Sequence, residues 1–216
     1  MVVTKEKPID EILDFLLPYT NILVVGCDGC TQPPRGVKEA EVLSQLLTLG
    51  GRQRGKDLNF KVTSVAKQCD SFLLANSLKT QIEGSEAILS LSCGVGVQTM
   101  AEVFPEFVVF PAQNTLFIGM ENREENVLLE YCAACGDCLL DSTGGICPIA
   151  RCSKHLLNGP CGGSQGGKCE VDPSIPCAWQ LTIERLTKLG QLDKLGKIVP
   201  PKNWTVSLVA GRPVKR

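Results

Sequence analysis

Eight cysteines between residues 132 and 177 dominate the chemistry open to this chain. Cys132, Cys135 and Cys138 follow one another in two-residue steps, and Cys147, Cys152, Cys161, Cys169 and Cys177 complete the stretch. Thiolates are soft ligands that suit zinc and iron–sulfur clusters, and two-residue spacing lets successive sulfurs face one small object. Eight of them suffice for two four-thiolate centres. Zinc ribbons prefer two Cys-x-x-Cys knuckles separated by a loop, whereas consecutive two-residue steps are the habit of ferredoxin-type binders. The run departs from the ferredoxin pattern in having eight residues before Cys147-Pro148. The spacing favours iron–sulfur and leaves open one iron–sulfur centre beside one zinc. It does not partition the eight ligands, because cysteines of neighbouring clusters interleave.

Four more cysteines lie upstream, and the elements that must position them give them meaning. Residues 8–19 carry apolar side chains at helical spacing, residues 21–25 (NILVV) form a continuous apolar run ending at Gly26, and residues 37–49 read as an amphipathic helix stopped by Gly50-Gly51. Further strands are predicted at 60–65, 87–91, 107–110 and 115–118, with a short helix after Gly96. Apolar strands alternating with helices predict an α/β fold with a small, mostly parallel sheet of the Rossmann or flavodoxin-like kind. Cys27 and Cys30 then fall just past the first strand, Cys69 beyond the second and Cys93 just past the third. Carboxyl ends of parallel strands share one edge, where ligands bind, so three chain segments would deliver sulfur to one place. Cys27-Asp28-Gly29-Cys30 also has the spacing of a thioredoxin-like dithiol, but Thr31 to Gly36 delays the next helix, so the thiols would not sit at a helix start. Burial as a small apolar side chain is the alternative that suits Cys69 best.

Past residue 128 the pattern changes, and glycine, proline and cysteine dominate to residue 177. Such a segment has too little apolar periodicity for a core and needs its metal to fold. Residues 179–189 restore helical spacing. The division predicted is an α/β domain over 1–125, a Cys-rich, loop-dominated metal-cluster domain with a closing helix over 126–196, and a basic, extended tail over 197–216. From residue 184 onward eight Lys or Arg face only Glu184 and Asp193, either a solvated end or a docking arm for an acidic partner.

Composition excludes other classes. Net charge is −1 and 44% of residues are hydrophobic, a globular balance without a disorder signature. The first residues lack the layout of a signal peptide and no apolar run spans a bilayer, so the chain is expected in the cytoplasm, where a Cys-rich stretch points to metal or catalysis more than to disulfides. The basic tail holds one aromatic residue, Trp204, and no nucleic-acid module. Gly162 to Lys168 imitates a phosphate-binding loop, but Cys169 stands where Ser or Thr is needed, and Pro173 and Pro176 interrupt the helix that should follow. Gly94-x-Gly96 is an incomplete dinucleotide fingerprint, explained by a tight turn beside Cys93. The single histidine, His155, reads as a surface or capping residue. Without an acid–base apparatus, an electron relay is favoured over an enzyme acting alone.

Residues 132–138 (CAACGDC), 144–148 (GGICP), 158–163 (NGPCGG), 168–171 (KCEV) and 176–179 (PCAW) resemble the Cys-rich methylenetetrahydrofolate reductase C-terminal domain. With 26–31 (GCDGCT) and 91–98 (LSCGVGVQ), the chain resembles the MetV family of small iron–sulfur subunits, which pair with a MetF-type flavin-bearing subunit in acetogenic and related anaerobes. The resemblance implies a role in reducing methylenetetrahydrofolate to methyltetrahydrofolate in the reductive acetyl-CoA (Wood–Ljungdahl) pathway. Flavin (FMN) and folate would belong to the partner, and an upstream redox protein would supply electrons. It implies two or three [4Fe–4S] clusters, with one centre open to zinc. Cys132, Cys135, Cys138, Cys147, Cys152, Cys161, Cys169 and Cys177 carry over as the C-terminal ligands, and Cys27, Cys30 and Cys93, less securely Cys69, as the N-terminal set. Two rival functions stand beside it: a structural zinc scaffold in the same kind of complex, and a stand-alone thiol redox protein using Cys27 and Cys30.

Overall fold

A computed structural model describes residues 1–206, and the chain divides into two compact units, Met1–Phe117 and the residues from Ile118 onward. Among the described residues the fold is mixed α/β with two four-stranded sheets, one of them entirely parallel. No helix among them is long and apolar enough to cross a membrane. Of the basic tail, Arg212, Pro213, Lys215 and Arg216 lie outside the described residues.

The first unit runs β1 (Val2–Glu6), α1 (Ile9–Leu16), β2 (Asn21–Cys27), β3 (Thr31–Gln32), α2 (Val37–Gln53), β4 (Asn59–Val65), α3 (Ser71–Leu78), β5 (Ala87–Ser90), α4 (Gly94–Val103) and β6 (Val108–Pro111), then enters β7 (Gln113–Asn122). The parallel sheet has the order β4-β2-β5-β6. Its central strands are apolar from Ile22 to Val25 and from Ala87 to Leu89 because both faces are covered. Ile22, Val24 and Leu89 pack with Leu13, Leu16, Leu43 and Leu47 of α1 and α2. Leu23, Val25 and Ile88 pack on the other face with Leu74, Leu78 and Met100 of α3 and α4.

Two glycine expectations change. Helix α2 runs through Gly50-Gly51 to Gln53 instead of stopping there. A Cβ on Gly50 would stand 2.7 Å from Leu13 Cδ1, and one on Gly51 2.9 Å from the Lys56 carbonyl oxygen. These glycines let α2 approach its neighbours closely; they are not a stop signal. Helix α4 likewise starts at Gly94, with Cys93 at its N-cap, so Gly94-x-Gly96 is the first turn of a helix and not a tight turn. Gly96 lies against Ser92 and Gln68 with no space for a side chain.

The second sheet has the order β3-β1-β7-β8. β3 lies parallel to β1 in the first unit, and in the second unit the remainder of β7 pairs antiparallel with β8 (Val127–Cys132). The second unit continues through a four-residue helix, α5 (Pro148–Arg151), to α6 (Ala178–Lys188). Before α5 and between α5 and α6 the chain makes short turns, many of them at glycines in the left-handed region: Gly136, Gly144 and Gly145, then Gly162, Gly166 and Gly167. Only glycine adopts this backbone freely. The imitation phosphate loop thus consists of turns, with no strand before it and no helix until Ala178. Among its described residues the buried apolar ones are few: Pro148, Ile149, Ala178, Trp179 and Leu186.

Candidate metal centres

In the first unit the parallel sheet delivers sulfur to one edge. Cys27 ends β2, Cys30 follows three residues later, Cys69 lies between β4 and α3, and Cys93 lies between β5 and α4. In the order β4-β2-β5-β6 the chain leaves β2 for one neighbour, β4, and returns to the other, β5. The gap between the carboxyl ends of β2 and β5 is therefore the topological switch point, where open α/β sheets bind ligands. Cys27 and Cys93 are buried and Cys30 and Cys69 exposed. Partial desolvation is the main influence that pushes the Cys69 thiol up; Lys67 opposes it, and the nearby sulfurs of Cys93 and Cys30 add to it. Cys69 thus lies within electrostatic reach of two of the other three cysteines. Neither Cys27 nor Cys30 starts a helix, since Thr31-Gln32 goes into β3 and α2 begins at Val37.

A buried polar network fixes this edge. The Gln68 side chain, fully buried, donates from Nε2 to the carbonyls of Val25 (2.9 Å) and Gly26 (2.8 Å). Ser90 Oγ donates to Gln68 Oε1 at 2.7 Å and lies 2.8 Å from Ser92 Oγ. One glutamine therefore ties the end of β2, the loop bearing Cys69 and the end of β5 together. A satisfied network of this kind rigidifies what it links. Gly26 completes it, because a Cβ there would stand 2.6 Å from the Gly36 carbonyl oxygen, so Cys27 is drawn against the start of α2. Sequence reasoning passes over Gln68, Ser90 and Ser92; the one hint is a pair of serines alternating with Leu89 and Leu91 where a buried strand should be apolar.

In the second unit a short hairpin brings distant cysteines together. Cys169 N–H donates to the Ile175 carbonyl at 2.9 Å and Cys177 N–H to the Gly167 carbonyl at 2.8 Å. Trp179 Nε1 donates to the Leu156 carbonyl at 3.1 Å, holding the loop that leads to Cys161, and Gly159 lies against its indole. As a result Cys152, Cys161, Cys169 and Cys177 all line a single cavity of about 20 Å³, with Trp179, Leu156 and Ala178 on its apolar side and Arg151, Lys154 and Glu170 also at its wall. Cys177 is also the N-cap residue of α6. The hydroxyl of Ser153, 3.4 Å from Cys169 Sγ, is the main cause that lowers the Cys169 pKa, followed by the backbone amides of Val171 and Asp172.

The remaining four, Cys132, Cys135, Cys138 and Cys147, are set differently. Cys132 ends β8, and the Ala134 amide donates to its sulfur at 3.4 Å. Ala134 and Gly136 both have positive φ, at 51° and 77°, which is how the chain turns back on itself twice within seven residues. Cys147 is the N-cap residue of α5. His155 is no part of a thiol set: its Nδ1 lies 2.5 Å from the Ile149 carbonyl, where it caps the turn of α5. Lys194, read from the sequence as part of a solvated or docking tail, donates to the Asp141 carbonyl at 2.9 Å.

All twelve cysteines are free thiols. Among the described residues no three Cys, His, Asp or Glu side chains are grouped closely enough to hold a single metal ion. The donor chemistry nevertheless fits a thiolate-bound cluster: unpaired thiols gathered from several segments, one quartet around a common cavity, an amide aimed at Cys132 and a hydroxyl beside Cys169. Hydrogen bonds to ligand sulfur are among the means by which proteins set cluster potentials.

Residues 110–205 match a family model described as methylene-tetrahydrofolate reductase C terminal. The match takes in all eight C-terminal cysteines and α6, and ties this part of the chain to methylenetetrahydrofolate reductases. No curated protein and no solved structure matches the chain.

Proposed function

We propose that this chain is the electron-transfer subunit of a methylenetetrahydrofolate reductase complex and carries [4Fe–4S] clusters to the edge of a flavin-bearing MetF-type partner. The observation that carries the reading is the gathering of Cys152, Cys161, Cys169 and Cys177 around one cavity inside the segment that matches the reductase family. Cys132, Cys135, Cys138 and Cys147 form the second C-terminal set. Cys27, Cys30, Cys69 and Cys93 form the third, at the switch point of a flavodoxin-like domain whose strand order, 2-1-3-4 in chain numbering, supports that assignment. A [4Fe–4S] cluster, when bound, supplies one-electron uptake and release.

The residues of the chain then do the tuning and the insulation. Trp179, Leu156 and Ala178 supply the apolar side of the 152–177 set. Ser153, which accepts from the Cys169 thiol in the protonated form, would donate to the thiolate together with the Val171 and Asp172 amides and so favours the anionic form. Gln68 holds the N-terminal loops so that Cys27 and Cys93 stay buried while Cys30 and Cys69 face outward, an exposed side through which electrons can enter or leave. The proton and hydride chemistry on the folate would belong to the partner.

Metal analysis of the anaerobically purified full chain checks this reading. We expect about eight to twelve irons per chain, two or three clusters' worth, with matching sulfide and an EPR signal on reduction. A colourless, EPR-silent chain rich in zinc would establish the structural scaffold in its place, and four or fewer irons would end the multi-cluster reading.

A further inference from the structure

The segment after α6 turns back over the cysteine loops. Asn158 clamps it at one point, accepting from the Val199 amide at 2.7 Å and donating to the Val199 carbonyl at 2.8 Å. At its far end the Val206 carbonyl oxygen lies 2.8 Å from where a Cβ on Gly136 would stand, so only glycine fits beneath it. Between these points Lys202 turns inward. Its side chain is 1% exposed, and its ammonium donates to the Asp137 carbonyl at 2.5 Å and pairs with the Asp137 carboxylate at 3.4 Å. The Trp204 ring lies 5.9 Å away on another side.

A buried ammonium is costly unless something repays its lost hydration. Here the compensation is incomplete, because the Asp137 side chain is 53% exposed and its charge is screened by water. Asp137 is also the residue between Cys135 and Cys138, so the cation is held against the loop of the Cys132-Cys135-Cys138 run. A fixed positive charge favours whichever redox state nearby is more negative. We propose that Lys202 is the built-in counter-charge of the centre held by Cys132, Cys135 and Cys138, raising its reduction potential relative to the other centres. This rests on the cluster reading above. Asp137 acts in the opposite sense, so the pair sets the potential from two sides.

Redox titration of the full chain, followed by EPR and paired with iron analysis, tests it. Lys202→Met should keep its iron and shift one centre alone to lower potential, by at least a factor of ten in its reduction equilibrium, or ~59 mV for a one-electron couple. Lys202→Arg should restore the original value, and Asp137→Asn should move the same centre upward. A lysine that merely pinned the segment would give no such opposite shifts. Unchanged potentials in an iron-replete Lys202→Met chain would overturn the proposal, as would Asp137→Asn moving the centre downward or not at all. Should Lys202→Met lose iron, the direction of the Asp137→Asn shift decides. An unsubstituted chain without iron would defeat the cluster reading itself, before any variant is measured.

Discussion

Replacing Cys161 or Cys169 by Ser should remove about four irons per chain, one cluster's worth, and leave the rest in place. Both side chains line the same cavity with Cys152 and Cys177, so the double variant Cys161→Ser/Cys169→Ser should lose no more than either single one. Cys135→Ser and Cys93→Ser should each remove a separate cluster's worth, and these losses should add. Additivity is expected for sites that share no partners and fails within a shared one. The pattern therefore reads the partition directly: non-additive within 152, 161, 169 and 177, additive across the three sets. Losses that add within the cavity quartet, or a single substitution that strips all the iron, would show that the grouping is wrong.

Stripping the metal should unfold the second unit and spare the first. The largest fully buried side chains, from Ile12 and Leu13 to Leu89 and Leu91, all lie in the first unit, where helices cover both faces of a parallel sheet. Among the described residues of the second unit the buried apolar side chains are few: Pro148, Ile149, Ala178, Trp179 and Leu186. Chain entropy costs on the order of 1–2 kcal/mol per ordered residue, and so few buried side chains do not offset it over the Cys-rich loops. Metal binding to a site of this kind is worth on the order of 10 kcal/mol and doubles as folding energy. After chelation, amides from 133 to 177 should exchange freely and the segment should be cut by protease, while β2 and β5 stay protected. Protection of both units after complete metal removal would refute this division of labour.

The parallel sheet was legible because its signal is local. The run Ile22 to Val25 is apolar at every position, and only a strand buried on both faces requires that. Helix α3 was harder to see: Phe72 is 74% exposed, so its apolar residues do not fall on one face, and the usable sign was Asp70 as N-cap, accepting from the Leu73 amide. Gly50-Gly51 misled because close packing and helix termination both use glycine, and only the position of Leu13 decides between them. At the metal sites the ligand types were plain but their grouping was not. Cys152 and Cys177 are 25 positions apart and meet only because the Cys169–Cys177 hairpin closes. Gln68 and Lys202 were invisible for a related reason: each is an ordinary polar residue until the fold buries it beside a cysteine loop.

The central claim is electron delivery to a flavin on another chain. Its most direct measurement mixes the iron-loaded chain, reduced anaerobically with excess reductant removed, with an oxidised MetF-type subunit and follows the flavin absorbance. The account requires the flavin to bleach as the EPR signal of the chain is lost, with electrons conserved between the two. A flavin that stays oxidised beside a fully loaded, fully reduced chain would contradict it.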